Sequence, residues 1–305
     1  MKLISICLVT AGILFCVEGS AQISFKTEYI GNSGYRYLPS GDGPSEKVGD
    51  SKGSAAVYQG IANIPFYMKK NENNRLTAWG VGIGGAYASL GNENFTSDIV
   101  SEIMNLQLGI FHLRPLNDKW SMMVSIGAGI YAPFTEFSKI RYKNVLGSAG
   151  VVFICHLNPS LDLGGGLAVN SSLGYPMVFP ALYLNWNYES KFKVNISLGE
   201  GLELTAGYGF SDCFSLSLGA EMNGQMALLE KDGKDVMFTH QYIVAGLRPE
   251  IKFGKTGISM PFMVGINAYR PAYYSDRTLK GMFAMDNDFY FSVSPYASVG
   301  IQYGF

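Results

Sequence analysis

His112, His156 and His240 are the only histidines in this 305-residue chain, so any Ser–His or Asp–His chemistry must pass through one of them. His112 falls near a strand end on the outward parity, and His156 stands beside an Asn158-Pro159 turn. His240 points inward, flanked by Thr239 and Gln241, and no Ser or Asp is spaced to pair with it on the same strand face. A lone inward histidine is ordinarily a hydrogen-bonded interior residue. The sequence therefore points away from an enzyme and names no catalytic group, although a triad assembled from separate strands leaves no linear trace. It also offers no metal-ligand set and no cofactor motif. Gly80-Val81-Gly82-Ile83-Gly84-Gly85 has the look of a phosphate loop, but it continues an alternating strand with no helix pattern after it. Those glycines, and Gly164-Gly165-Gly166, read better as places where a wall bends or a neighbour comes close.

The elements that would hold these residues are strands. Polarity alternates with period two along most of the chain. Trp120, Met122, Val124, Ile126, Ala128 and Ile130 alternate with Ser121, Ser125, Gly127 and Gly129. Phe289 to Phe305 repeats the pattern, with apolar residues at the odd positions. The pattern predicts strands at about 22–31, 54–68, 75–90, 99–114, 119–133, 144–157, 161–170, 180–188, 192–198, 202–210, 214–229, 236–253, 258–270 and 289–305. That is an all-β, antiparallel, up-and-down arrangement of about fourteen strands, within a range of 12–16. The 19 Tyr, 19 Phe and 37 Gly suit strands and turns better than helices.

The N-terminus carries Lys2, an apolar run from Leu3 to Val17, and Gly19-Ser20-Ala21. This is the layout of a secretory signal peptide at residues 1–21, leaving 22–305 as one domain. Cys16 raises a lipoprotein alternative, which Phe15 just before it disfavours. An exported chain with no apolar run long enough for a spanning helix can still cross a membrane, as a closed sheet that satisfies its own backbone groups. Three features favour that over a soluble sheet. Strand lengths suit a tilted crossing, one face is nearly free of charge, and connections alternate between short and long. Short turns such as Leu116–Lys119 and Ser211–Cys213 are expected on the periplasmic side, and longer connections such as Asn32–Gly53 and Pro271–Asp288 outside. Trp79, Trp120 and Trp186 would sit in aromatic girdles. A net charge of −1 gives no sign of a nucleic-acid partner. Cys155 and Cys213, too many strands apart to bridge, should be free.

The last residues, Ser298-Val299-Gly300-Ile301-Gln302-Tyr303-Gly304-Phe305, resemble the β-signal read by the bacterial barrel-assembly machinery. In that resemblance Ser298, Gly300, Tyr303 and Phe305 are the signal positions. Phe179-Pro180-Ala181-Leu182-Tyr183-Leu184-Asn185-Trp186, Phe192-Lys193-Val194-Asn195-Ile196 and Leu202-Glu203-Leu204-Thr205-Ala206-Gly207-Tyr208 resemble a poorly characterised family of outer-membrane barrels from Bacteroidota. Gly199-Glu200-Gly201 departs from the Pro that family often carries there. The resemblance implies the bacterial outer membrane, with lipid and the assembly machinery as partners, and implies no ligand or activity.

On this reading the first expectation is a passive channel or small-solute transporter with an unidentified substrate. The alternative is a structural or surface-interaction barrel acting through its loops, and a rim enzyme is disfavoured. Ser197, Glu203, Glu221, Lys193, Arg248 and Glu250 are the polar candidates facing the lumen. A regular hairpin pairing Phe210 with Phe214 would set Glu203 opposite Glu221, and the preceding one would set Ser197 opposite Glu203, toward the outer end. Two facing carboxylates either attract a cation or are screened by water or by an Arg or Lys from another strand.

Overall fold

The computed structural model describes residues 22–37, 45–72, 75–95, 99–198, 201–283 and 289–304. The expected signal peptide and Phe305 lie outside them. The strands are β1 (Gln22–Tyr37), β2 (Lys47–Lys70), β3 (Leu76–Glu93), β4 (Glu102–Pro115), β5 (Trp120–Ala132), β6 (Val145–Asn158), β7 (Leu161–Asn170) and β8 (Met177–Glu189). They continue as β9 (Phe192–Leu198), β10 (Leu202–Ser211), β11 (Phe214–Lys231), β12 (Lys234–Lys252), β13 (Ile258–Tyr269), β14 (Ala272–Asp276), β15 (Phe289–Phe291) and β16 (Ser294–Gly304). A short helix, α1, spans Leu279–Phe283. Among the described residues no helix is long and apolar enough to cross a membrane.

Every pairing is antiparallel. β1 to β13 join in succession, β13 pairs with β16, and β16 returns to β1, giving a ring-like order of fourteen strands. β14 and β15 are extra: β14 extends the β13 side of β12, and β15 extends the β16 side of β1. The ring has a turn end, which holds Gln22, Gly304 and the tight turns, and a loop end.

Three expectations change. The connection at Asn32–Gly53 is mostly strand, because β1 runs on to Tyr37 and β2 begins at Lys47. The last strand is interrupted at Ser292–Val293, which reverses its facing: Phe291 is buried while Val293 is exposed. The turned-in Phe291 packs under Arg270, whose guanidinium lies 3.8 Å from the ring centroid. Finally, Phe210 does not pair with Phe214. Ser211 does, with a register shift between Gly209 and Ser211, and the two phenyl rings pack 5.8 Å apart.

Polarity is inverted relative to a water-soluble sheet. Ile126, Leu218 and Val264 are 63%, 65% and 64% exposed on the outside. Their neighbours Ser125, Ser217 and Met263 face the interior. The three tryptophans also lie outside, and all of them are at the turn end, with His112 stacked on Trp79 at 4.0 Å between centroids.

The wall is uneven in height. β10 ends at Leu202, which pairs with Met222, so residues 223–231 of β11 rise past it with β12 alone as a ladder partner. β9 likewise ends at Leu198 against Leu184, leaving 177–183 of β8 paired only with β7. The result is a notch above the β9–β10 hairpin.

Candidate functional site

The tall β11–β12 hairpin leans into the ring instead of standing in the wall. Its strand β11 touches β4 and β5 on the far side. Asn105 of β4 holds it as a backbone strand would: its Nδ2 donates to the Met226 carbonyl at 2.6 Å, and its Oδ1 accepts from the Met226 amide at 3.3 Å. Asn144 Nδ2 donates to the Leu228 carbonyl at 2.6 Å, and Lys143 pairs with Glu230 at 2.7 Å. Because wall surrounds the hairpin on both sides, both of its faces are covered: Ala227, Leu228, Val236, Met237 and Phe238 are all buried. β14 follows β12 inward. Beyond it, Arg277 donates to the carbonyls of Lys143, Ser171 and Ser172, tying the segment to two loops across the mouth. The loop-end half of the interior is thus packed, with Ile30, Val57, Ile103, Phe238 and Tyr242 in one buried cluster.

Beneath this cluster lies a belt of charge. Glu28, with no exposed surface, accepts from Tyr242 at 2.7 Å, from Tyr296 at 2.5 Å and from Gln59 at 2.9 Å, and it pairs with Lys26 at 2.9 Å. Lys26 also pairs with Glu221. Arg248 reaches both Glu203 and Glu221, the latter at 3.7 Å. Glu203 does stand opposite Glu221, and Ser197 opposite Glu203, since the hairpin irregularity is confined to the turn side of Gly209. The pair does not lie toward the outer end as the sequence suggested. β11 continues past it to Lys231, so these carboxylates sit below the packed half.

A cavity of about 680 Å³ occupies much of the remaining interior. Leu198, Gly201 and Leu202 line it at the sill of the notch, with Tyr183, Asn223 and Gly224 at the sides. All six lumen candidates, Lys193, Ser197, Glu203, Glu221, Arg248 and Glu250, line it too. Glu250 accepts from the Ser215 hydroxyl at 3.2 Å, and Lys193 stands opposite Glu189 in the ladder. The charged lining is balanced, with Lys26, Lys193, Arg248 and Lys252 against Glu189, Glu203, Glu221 and Glu250. Lys26 and Glu28 were missed among the sequence candidates. Their signal was nonetheless present, as charged residues at alternate positions between Phe25, Thr27 and Tyr29.

The histidines resolve differently. His240 is buried, and its Nδ1 lies 3.1 Å from Gln225 Oε1. His156 forms a chain that the spacing did not reveal: Ser121 Oγ lies 2.8 Å from Nε2, and Asp162 Oδ1 lies 2.7 Å from Nδ1. The distances are those of a Ser–His–Asp triad, but the access is reversed. Ser121 is 4% exposed, while the Asp162 side chain is 27% exposed. A nucleophile must meet its substrate and the acid normally hides behind the imidazole. Here the chain straps β5, β6 and β7 together. Among the described residues no group of three or more His, Cys, Asp or Glu could hold a metal ion. Cys155 and Cys213 are free.

Fold and interior together define an antiparallel β-ring with an apolar outside and a polar cavity within. The chain belongs to the family described as Domain of unknown function (DUF6268), whose profile matches residues 17–304. No curated protein matches it. Among solved structures it is similar to an outer-membrane channel from Pseudomonas putida F1, at 12% identity, covering 95% of this chain and 97% of that one, with a TM-score of 0.46. It is also similar to the translocator domain of autotransporter NalP from Neisseria meningitidis, at 15% identity, 94% and 89% coverage and a TM-score of 0.35. The transport unit of AIDA-I from Escherichia coli gives 13% identity, 99% and 97% coverage and 0.37. All three scores are below 0.5, and no function passes from these proteins to this chain.

Proposed function

We propose that the chain is a closed, fourteen-stranded barrel of the bacterial outer membrane that conducts small polar solutes through its interior. The carrying observation is the inverted polarity: large apolar side chains cover the outside while charge and amides line a cavity within. Exposed apolar surface on this scale belongs against lipid, and the ring gives each of its fourteen strands a partner on both sides, with one-sided stretches of β8 and β11 at the notch. The turn end, which holds Gln22 and Gly304, would face the periplasm. The packed hairpin argues for a gated passage over a permanently open pore. The loop-mediated alternative loses support, because the Asn32–Gly53 connection is largely strand.

Ser298, Gly300, Tyr303 and Phe305 serve in this reading as the signal for the barrel-assembly machinery. Ser298 and Gly300 face inward in register with Glu28 and Lys26, and Tyr303 faces outward beside Ile23. The test is fractionation with conductance. The mature protein should sediment with outer membrane, migrate anomalously on a gel until boiled, and give discrete openings in a planar bilayer. Phe305→Glu should lower assembled protein far more than Gln302→Ala. Recovery in the soluble periplasm would overturn the proposal.

A further inference from the structure

The inner faces of β8, β9 and β10 carry a grid of uncharged hydrogen-bonding groups. Asn185 stands opposite Ser197, Asn187 opposite Asn195, and Asn195 opposite Thr205. All five line the cavity. No hydrogen bond holds their side chains among the described residues; Asn187 is exposed to the cavity, and the Asn195 Oδ1 is buried without a partner. Several other interior amides have structural work: Asn105 and Asn144 hold the hairpin, Gln59 holds Glu28, and Gln225 holds His240. The grid does none of this.

From this grid we infer a binding site for an uncharged, polyhydroxylated solute of the saccharide class. The inference rests on the solute-passage reading above. An amide offers a donor and an acceptor side by side, and so does a pair of vicinal hydroxyls. Hydroxyls can therefore satisfy the free amides in either direction, whereas a carboxylate can only accept and an ammonium can only donate. The surrounding charge gives an ion no net attraction. Four cationic and four anionic side chains line the cavity, and those nearest the grid's upper row are already paired, Glu203 with Arg248 and Glu221 with Lys26. A single-sign field is what concentrates ions in a cleft, and that field is missing from this lining. The volume of about 680 Å³ falls in the range of sites that enclose small molecules, roughly 300–1,000 Å³.

The experiment separates binding from passage. Saturation-transfer NMR on the full-length protein in detergent compares glucose, glucosamine, glucuronate and serine. Glucose should bind about tenfold more tightly than any of the charged or zwitterionic three, a gap equal to about 1.4 kcal/mol. Asn187→Leu with Asn195→Leu should abolish glucose binding in protein that still shows heat-modifiable migration. Should that variant not assemble, Asn187→Asp alone is informative, because the added charge should shift preference toward glucosamine. Equal binding of all four probes, no binding of glucose, or a preference for serine or glucuronate would overturn the inference. Liposome swelling with glucose tests passage separately. Binding without swelling supports the saccharide site and sinks the passage reading, whereas swelling without any preference among the probes does the reverse.

Discussion

The two halves of the interior solve one problem in opposite ways. At the loop end a hairpin that should stand in the wall folds inward, where its apolar residues are buried and Asn105 and Asn144 bond the backbone of Met226 and Leu228. Below it an apolar cluster of Met123, Val152 and Ile154 fills one side, while beside β8 to β10 the cavity stays open and Asn185 and Asn187 line it with no side-chain hydrogen bond among the described residues. A buried polar group without a partner is costly, so a cavity that keeps such groups wet or free is one that admits solvent or solute. The difference teaches that the height of the wall decides where this molecule is solid. Short β9 and β10 leave the upper part of β11 without an inner neighbour in the sheet, and it finds cover across the ring.

The largest effect should come from emptying the belt under the packed half. Glu28→Ala removes the acceptor for Tyr242, Tyr296 and Gln59 and the partner of Lys26. Breaking a buried, hydrogen-bonded charge pair costs about 3–5 kcal/mol. Urea unfolding should register that loss, whereas Asn195→Ala in the open half should stay within about 0.5 kcal/mol of the parent. Equal losses would erase the distinction between the halves.

Next in size is the pair of small substitutions Gly80→Ala and Gly84→Ala on one face of β3. A Cβ at Gly80 would come within 2.3 Å of the Phe111 ring, while at Gly84 its nearest neighbour is 3.9 Å away. Overpacking costs about 1–3 kcal/mol, so thermal unfolding should separate the two variants clearly. Identical midpoints would mean that the wall near Phe111 is looser than its geometry.

Freeing the hairpin tests the same comparison through transport. Asn105→Ala with Asn144→Ala deletes hydrogen bonds worth about 1 kcal/mol each. Openings in a planar bilayer should become longer or more frequent, with the unitary size governed by the unchanged cavity below. Unaltered gating would mean that the hairpin does not close the path. The smallest effect is expected at Ser121→Ala, with a loss of roughly 1 kcal/mol at most and no change in ester turnover above background. A serine-dependent ester hydrolysis would instead make His156 and Asp162 catalytic.

Much of this was legible because alternation survives wherever a strand has an apolar outer face and a polar inner one. β7 and β9 match their predicted spans residue for residue, and most other boundaries fall within three. The register of Glu203 with Glu221 was also readable, since a hairpin fixes pairing by counting back from its turn. What failed to show was the inward hairpin. With both faces covered, the Val236-Met237-Phe238 run loses its period and looks like any buried strand. The fork at Arg270, where β14 follows β12 and β15 follows β1, left no polarity signal either. The partners of Glu203 and Glu221 come from β12 and β1, one of them far away in sequence, so alternation could turn Lys26 inward but no local spacing could pair it with Glu221. The chain Ser121–His156–Asp162 was hidden for the same reason, being spread over three strands.

The most direct test of the central claim asks which face meets lipid. In a Cys155→Ser, Cys213→Ser background, single cysteines replace Ile126, Leu218 and Val264 on the outside and Ser217 and Asn195 on the inside. Each variant is labelled with a fluorophore and reconstituted into vesicles. Quenchers attached to lipid tails should extinguish the three outside labels strongly and leave the two inside ones bright, while a water-soluble quencher should reach Asn195→Cys. The opposite pattern, with Ser217 and Asn195 quenched from the lipid and Ile126, Leu218 and Val264 accessible from water, would contradict a membrane barrel with a polar interior.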